Sequence, residues 1–180
     1  MAENPAKATR TQTYLTFAGE VDILSYQTMH EWSADAKHAF VLNDARDLRA
    51  GRGRARSVPA SLLPPLQERL DCSKHLVLIV GENPPSMRQS ILQYEIRYAL
   101  TQALPIIIAF TGYSATEENT NRLWQERLFP RIPTVLHEWH ARKYCLVCPF
   151  TRGAVVSAIT KYSDKALPRT HSGYMWHWKH

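Results

Sequence analysis

Two short and almost wholly apolar runs lie in the middle of the chain, with a helix-like segment between them. Residues 75–80 and 106–110 have the continuous apolar character of strands that are covered on both faces of a parallel sheet. Residues 86–100 repeat apolar side chains at helical spacing, and Ser86 can cap that helix. Two parallel strands joined by a helix form a βαβ unit, so the sequence predicts an α/β fold.

The same alternation continues on either side of this unit. We predict further strands at residues 13–17, 38–42, 134–136 and 144–147, and further helices at residues 26–37, 57–70, 122–128 and 152–162. Pro64 and Pro65 indicate either a kink in the second helix or a start delayed to Pro65, and Asn43-Asp44 is typical of a turn. The predicted class is α/β, a flavodoxin-like, doubly wound and mainly parallel sheet with helices on both faces.

Length and composition favour one folded domain. A chain of 180 residues with 44% hydrophobic and 21% charged residues can bury a substantial core. We predict a flexible segment at residues 1–11, the domain at residues 12–168, and an aromatic and basic tail at residues 169–180 that docks on the domain, adds to a sheet edge or contacts a partner. No apolar run approaches the roughly 20 residues needed to span a bilayer. Three cysteines and a polar start predict a cytoplasmic protein without a membrane partner.

Several common chemistries lack their motifs. GxGxxG, GxxxxGK[ST] and GxSxG are all absent, which disfavours a dehydrogenase, a P-loop enzyme and an α/β hydrolase. His137, His140, Cys145 and Cys148 have the number of ligands that zinc needs, but residues three apart on a strand point to opposite faces. We therefore predict no metal site.

Five arginines cluster in a glycine-containing segment between the second strand and the second helix. They are Arg46, Arg49, Arg52, Arg54 and Arg56. Guanidinium groups match phosphate oxygens, so this loop can close over a phosphate, and the alternative is a solvated surface loop. The net charge of +6 rests partly on this loop. This arginine loop is the sole support for a nucleic-acid partner, and we do not predict one.

Glu95 is the first candidate for chemistry. It lies beside the apolar face of the helix after residues 75–80, and that helix begins at the carboxyl edge of the sheet, where open α/β sheets bind ligands. A half-buried carboxylate there can hold both hydroxyls of a ribose. The alternative is a surface glutamate paired with Arg88 or Arg97.

With these residues in place, the chain resembles the bacterial TIR-like domains of Thoeris anti-phage defence. The likeness lies in residues 14–17 with Asp22, residues 72–81, residues 94–96 with Ala99, and residues 104–108. The resemblance implies an enzyme that cleaves the nicotinamide-ribosyl bond of NAD and makes a cyclic or modified ADP-ribose messenger. It implies NAD as substrate and no separate cofactor. The implied partners are a separate effector protein, a phage-derived trigger and further copies in a homo-oligomer.

The resemblance also assigns site residues. Glu95 takes the catalytic position, and Ile91 stands where the family has a tryptophan. The predicted substrate-binding residues are Phe17, Ala18, Gly19, Asp22, Asp44, Arg46, Arg49, Ser86, Gln89 and Ile91. Of these, Phe17, Ala18, Gly19 and Asp22 follow from the resemblance. Proximity to the edge of the cleft, and not the resemblance, suggests that Arg46 or Arg49 would hold the pyrophosphate and Ser86 or Gln89 the ribose. Two alternatives are a non-catalytic TIR-like assembly module and an enzyme resembling nucleoside deoxyribosyltransferases.

Overall fold

The fold is known from a computed structural model, which describes residues 10–17, 23–35, 40–44, 47, 57–82, 90–113, 124–162 and 175–176. The strands are β1 (Gln12–Phe17), β2 (Val41–Asp44), β3 (Ser73–Val80), β4 (Ile106–Phe110), β5 (Cys145–Pro149) and β6 (Met175–Trp176). The helices are α1 (Ile23–Ala34), α2 (Leu63–Asp71), α3 (Ser90–Thr101), α4 (Trp139–Arg142) and α5 (Arg152–Lys161). Shorter helical turns lie at Ala60–Leu62, Trp124–Leu128, Phe129–Arg131 and Thr134–Leu136.

The strands form one sheet in the order β2-β1-β3-β4-β5-β6, and every pair is parallel. The first five strands have the 2-1-3-4-5 order of flavodoxin-like folds, which confirms the predicted class. Of the described part of the predicted tail, Met175–Trp176 extends the sheet beside β5. The strand order reverses beside β1, so the crevice that binds ligands in such folds lies at the carboxyl ends of β1 and β3.

Helices cover both faces of this sheet. Alternate side chains of each strand point to opposite sides. Tyr14 and Leu78 pack in one core cluster with residues of α2 and α3, whereas Leu15 and Val77 pack in another with residues of α1 and α5. β3 and β4 lie at the centre of the sheet, and their apolar side chains are inaccessible to solvent.

Two strand predictions need correction. The second strand, predicted at residues 38–42, is observed at Val41–Asp44, because Asn43 and Asp44 pair with β1. Residues 38–39 of the prediction lie outside the described residues. The amide of Asn43 also donates to Gln12 Oε1 at 2.7 Å, and this pairing outweighs the turn preference of the two residues. The run at Thr134–Leu136 is a 3₁₀ turn with Val135 and Leu136 buried. A short apolar run alone does not separate a strand from a buried helical turn.

Helix boundaries also differ from prediction at two starts. α1 begins at Ile23, so Ser25 lies inside the helix and does not cap it. α2 begins at Leu63, which is later than the predicted residue 57 and earlier than the alternative start at Pro65. Pro64 and Pro65 lie in its first turn, where proline loses no hydrogen bond. The predicted cap Ser86, the five arginines and most of residues 1–11 lie outside the described residues. None of the helices in the described part of the chain is long and apolar enough to cross a bilayer.

The backbone is strained just after α3, at a residue with a positive φ. Ala103 has a φ of 53°. Its N–H donates to Leu100 O at 3.0 Å, and that of Leu104 donates to Ala99 O at 2.9 Å. These bonds form a Schellman cap, where glycine is the usual residue. We expect Ala103→Gly to raise the free energy of unfolding by about 0.5–1 kcal/mol, measured by urea denaturation. Ala99→Gly, inside the same helix, is the control and should destabilise the protein, and a destabilised Ala103→Gly would contradict the assignment.

Candidate active site

The Glu95 carboxylate lies inside the protein, between α3 and β1. Its side chain is 0% exposed, so it is more deeply buried than predicted, and the alternative of a surface glutamate is wrong. Tyr14 Oη donates to Glu95 Oε1 at 2.8 Å, and Thr16 Oγ1 donates to Oε2 at 2.7 Å. Tyr14 and Thr16 are two residues apart on a strand, so both point to the face that α3 covers. Each carboxylate oxygen therefore has a hydroxyl donor from β1.

These two hydrogen bonds compensate for burial. A charge taken out of water is costly unless hydrogen bonds replace its hydration. A hydrogen bond to a charged group stabilises a protein by about 1.5–3 kcal/mol. On α3, Ile91 lies one turn before Glu95 and is 6% exposed, and Ala99 lies one turn after it and is inaccessible. The helix is therefore anchored in the core on both sides of the carboxylate, which fixes Glu95 against β1.

The carboxylate lies near the carboxyl end of β1. Thr16 pairs with Leu78 of β3 and comes one residue before the last residue of its strand, Phe17. The carboxyl ends of β1 and β3 form the edge where the strand order reverses. Glu95 thus lies beside the edge of the sheet at which flavodoxin-like folds bind their ligands.

A second polar cluster lies at the same edge but on the opposite face of the sheet. Tyr26 Oη donates to Asp44 Oδ2 at 2.7 Å, and His30 Nε2 lies 3.4 Å from the same oxygen. The Phe17 ring packs edge-on against Tyr26 with 5.4 Å between centroids. Asp44 is paired with Leu15, whose side chain packs in the core cluster under α1. This Phe17–Asp44 cluster is therefore separated from Glu95 by β1 itself.

Arg69 of α2 holds the chain at the end of β2. Its guanidinium donates to Asp47 Oδ1 at 2.6 Å and to Oδ2 at 2.9 Å, and it also donates to the backbone carbonyl of Asp44. The hydrogen bond to Asp47 raises the pKa of Arg69. Asp44 is consequently tied to α2 by its backbone and to α1 by its side chain.

The structure places some of the predicted substrate-binding residues and leaves others untested. Ile91 lies beside Glu95 on one face, and Phe17 and Asp44 lie together on the other. The rest lie outside the described residues, namely Ala18, Gly19, Asp22, Arg46, Arg49, Ser86 and Gln89. Their assignments stay predictions.

Arg131 braces the edge of the sheet from outside. Its Nε donates to Gly81 O at 2.6 Å, and its Nη2 donates to Val80 O at 3.1 Å and to Thr111 O at 3.2 Å. The guanidinium also lies 5.2 Å from the centroid of the Phe110 ring. One side chain thus joins the carboxyl ends of β3 and β4.

We expect Arg131→Met to lower the free energy of unfolding by about 2–4 kcal/mol, because it leaves three carbonyls without a charged donor. Arg131→Lys should cost less than Arg131→Met, because it keeps a charged donor for one of the carbonyls. It should still cost stability, since an ammonium donates from a single point and does not span all three carbonyls. Guanidinium denaturation measures the difference. Arg127→Met is the matched control on a neighbouring exposed position and should change stability by less than about 0.5 kcal/mol. Equal effects of the two methionine variants would contradict the bracing role.

The two cysteines of β5 point to opposite faces of the sheet, as predicted for residues three apart on a strand. Cys145 packs in the core cluster under α3, and Cys148 packs in the cluster on the other face. Burial raises the pKa of both thiols, to about 12 for Cys148, so neither forms a thiolate readily. Within the described ranges, no group of three His, Cys, Asp or Glu side chains could hold a metal ion.

Sequence reasoning did not assign roles to several residues around these sites. Tyr14 and Thr16 were visible as hydroxyl residues two apart on a strand, a spacing that puts them on one face. Tyr26 and His30 are four apart on a helix and therefore adjacent. Arg131 gave no local signal, because its acceptors are carbonyls 20 to 51 residues away in sequence.

A comparison with family models identifies the domain. None of the curated proteins compared with the chain matches it. The family model described as Thoeris protein ThsB, TIR-like domain, matches residues 14–132. This range covers about two thirds of the chain and includes Tyr14, Thr16, Glu95 and Arg131. Together with the 2-1-3-4-5 strand order, the match shows that the chain belongs to the ThsB TIR-like family of Thoeris defence proteins.

Proposed function

We propose that the protein consumes NAD in anti-phage defence. It cleaves the nicotinamide-ribosyl bond and converts the ADP-ribose into a cyclic or modified messenger, which activates a separate effector protein after a phage-derived trigger. One observation carries this proposal. The Glu95 carboxylate accepts hydrogen bonds from two hydroxyls near the edge where the strand order of this ThsB TIR-like domain reverses.

The reaction needs little more than a well-placed carboxylate. Loss of nicotinamide from the anomeric carbon passes through an oxocarbenium-like state, and a negative charge that holds the ribose hydroxyls stabilises the positive charge that develops. Glu95 accepts hydrogen bonds from two hydroxyl groups in the structure, and a ribose diol offers donors of the same kind. The proposed substrate complex exchanges these hydroxyls for those of the ribose.

The remainder of NAD would cross the carboxyl end of β1, from the face of the sheet that holds Glu95 to the opposite face. Phe17 offers an apolar ring and Asp44 a carboxylate at the ends of neighbouring strands. Arg46 or Arg49 for the pyrophosphate and Ser86 or Gln89 for the ribose are further parts of the proposal. Cyclisation then requires the far end of the ADP-ribose to fold back as the nucleophile while water is excluded. NAD is the substrate, and no separate cofactor is needed.

The test is to incubate the purified protein with NAD, alone and with extract from infected cells, and to identify the products by mass spectrometry. We expect nicotinamide together with an ADP-ribose derivative when the trigger is present. Nucleosides assayed in parallel distinguish a deoxyribosyltransferase-like activity. If no condition releases nicotinamide, NAD cleavage is the wrong function.

The complete burial of Glu95 also favours a second candidate, a non-catalytic assembly module. A carboxylate whose oxygens both accept hydrogen bonds from β1 joins α3 to the sheet. Ile91, which stands where the resemblance places a tryptophan, is buried as an ordinary core residue. Concentration-dependent growth in size by light scattering, without NAD turnover under any trigger, would select this candidate.

A further inference from the structure

The proposed role of Glu95 conflicts with its surroundings in the structure. To act on NAD, the carboxylate must contact ribose hydroxyls. Its side chain is 0% exposed, and both oxygens accept hydrogen bonds from β1. The arrangement seen is therefore closed to substrate.

We propose that Tyr14 and Thr16 form a latch that holds Glu95 in a resting position, and that the active state requires the carboxylate to leave this latch. The consequence for NAD rests on the proposed function. The existence of the latch rests on the contacts alone. Tyr14 and Thr16 are themselves 0% exposed on a strand in the interior of the sheet, so they do not follow the carboxylate outward.

The chemistry of the latch indicates what opens it. Two neutral hydroxyl donors hold the carboxylate, and a vicinal diol provides the same pair of donors. Each carboxylate oxygen can lose a protein hydroxyl and gain a ribose hydroxyl, so the carboxylate keeps its number of donors. The Tyr14 and Thr16 hydroxyls give up their bonds to Glu95 in this exchange, which favours the closed latch when no ligand is bound. A ligand shifts the equilibrium between two positions only through its differential affinity for them. A ribose diol that binds only the released carboxylate has such a differential affinity and would shift Glu95 toward the released position.

Removing the hydroxyls should therefore release Glu95 without a trigger. Thr16→Val and Tyr14→Phe keep the shapes of the two side chains and delete one donor each. A buried carboxylate that loses a donor is destabilised in place, which favours the exposed position by about tenfold or more. The double variant should show the larger shift.

Accessibility of Glu95 can be measured without any enzyme activity. Carbodiimide activates exposed carboxylates for coupling to glycine ethyl ester, and peptide mass spectrometry locates the amide. We expect Glu95 to be protected in the wild type and about tenfold more labelled in Thr16→Val and in the double variant. The exposed Glu68 of α2 is the internal standard and should label equally in every protein.

Two variants control for effects that are not specific to the latch. Thr13→Val deletes a buried hydroxyl of the same strand that lies 2.8 Å from His75 Nε2. Because alternate side chains of a strand point to opposite faces, Thr13 lies on the face of β1 away from Tyr14, Thr16 and Glu95. Thr16→Ser keeps the donor. Both should leave labelling of Glu95 as in the wild type. Circular dichroism and cooperative melting identify any variant that fails to fold, and in that case Tyr14→Phe alone decides the labelling result.

Turnover completes the test. Thr16→Val should release nicotinamide without a trigger about tenfold faster than the wild type, and this gain should disappear in Thr16→Val/Glu95→Gln. Unchanged labelling of Glu95 in folded variants overturns the latch, whatever the turnover. Increased labelling with no NAD cleavage in any variant or condition supports the latch and overturns the proposed function.

Discussion

Replacing Glu95 by glutamine is expected to lower triggered nicotinamide release from NAD by about 10²- to 10³-fold, the usual effect of losing one electrostatic contact to a transition state. Glutamine has nearly the shape of glutamate but no charge to stabilise the oxocarbenium-like state. Tyr14 and Thr16 can still bond with it, because a hydroxyl both donates and accepts. The variant should therefore fold, and a loss of activity would mean that the negative charge of Glu95 is needed for the chemical step.

The measurement is nicotinamide release with the trigger present, for wild type and variants at equal concentration. Glu68→Gln removes a carboxylate from an exposed position on α2 and should keep wild-type turnover. Turnover retained in a folded Glu95→Gln protein would show that Glu95 is not catalytic. Loss in both variants would point to a general effect of charge instead.

The second large effect that we expect is a loss of folding stability at acidic pH, and it comes from His75. His75 lies on β3 with 0% exposure, and its Nε2 is 2.8 Å from Thr13 Oγ1. Its Nδ1 is buried and has no hydrogen-bond partner among the residues that the structure describes. Burial, together with the charge of Lys74, lowers the pKa of His75 from 6.5 to about 3. The folded protein therefore keeps this imidazole neutral where an unfolded chain would protonate it.

The direction in which stability changes with pH follows from the number of protons that the folded and unfolded states bind. Between pH 6.5 and about pH 3 the unfolded chain binds a proton at His75 and the folded protein does not. The contribution to stability is thus fully present above pH 6.5 and is lost as the pH falls toward 3, by about 1.4 kcal/mol per pH unit. From pH 7 to pH 5 we expect a loss of about 2 kcal/mol from this residue.

Urea denaturation at pH 7 and at pH 5 measures this loss, and His75→Gln should reduce it, since an amide can still bond with Thr13 but does not titrate. His140→Gln is the matched control, because His140 is 54% exposed and pairs with Glu138 on the surface. It should keep the pH dependence of the wild type. An unchanged pH dependence in His75→Gln would mean that other groups cause the acid sensitivity.

The central strands were predictable because a short, continuously apolar run of β-branched residues favours a buried strand of a parallel sheet. Residues 106–110 were predicted and are observed as β4 with the same bounds, since a run of buried β-branched and aromatic residues between polar segments suits a central parallel strand. β2 was less predictable, because Asn43 and Asp44 prefer turns in isolation. Pairing with β1 supplied the hydrogen bonds that made them part of a strand.

The candidate site was predictable in part for a similar reason. Helical spacing put Glu95 next to an apolar face, and strand order put its helix at the binding edge. Spacing did not decide how far the side chain turns inward. Phe17 and Asp44 were expected in one cleft with Glu95, yet strand alternation places them across the sheet from it.

The sequence by itself determined the succession of strands and helices, the class of the sheet and the helix that carries Glu95, since each depends on periodicity within a few neighbouring residues. Only the tertiary structure decided that Glu95 is closed off by Tyr14 and Thr16. Those contacts join residues 81 and 79 positions apart. They form because the sheet brings β1 under α3, where a buried carboxylate must find donors.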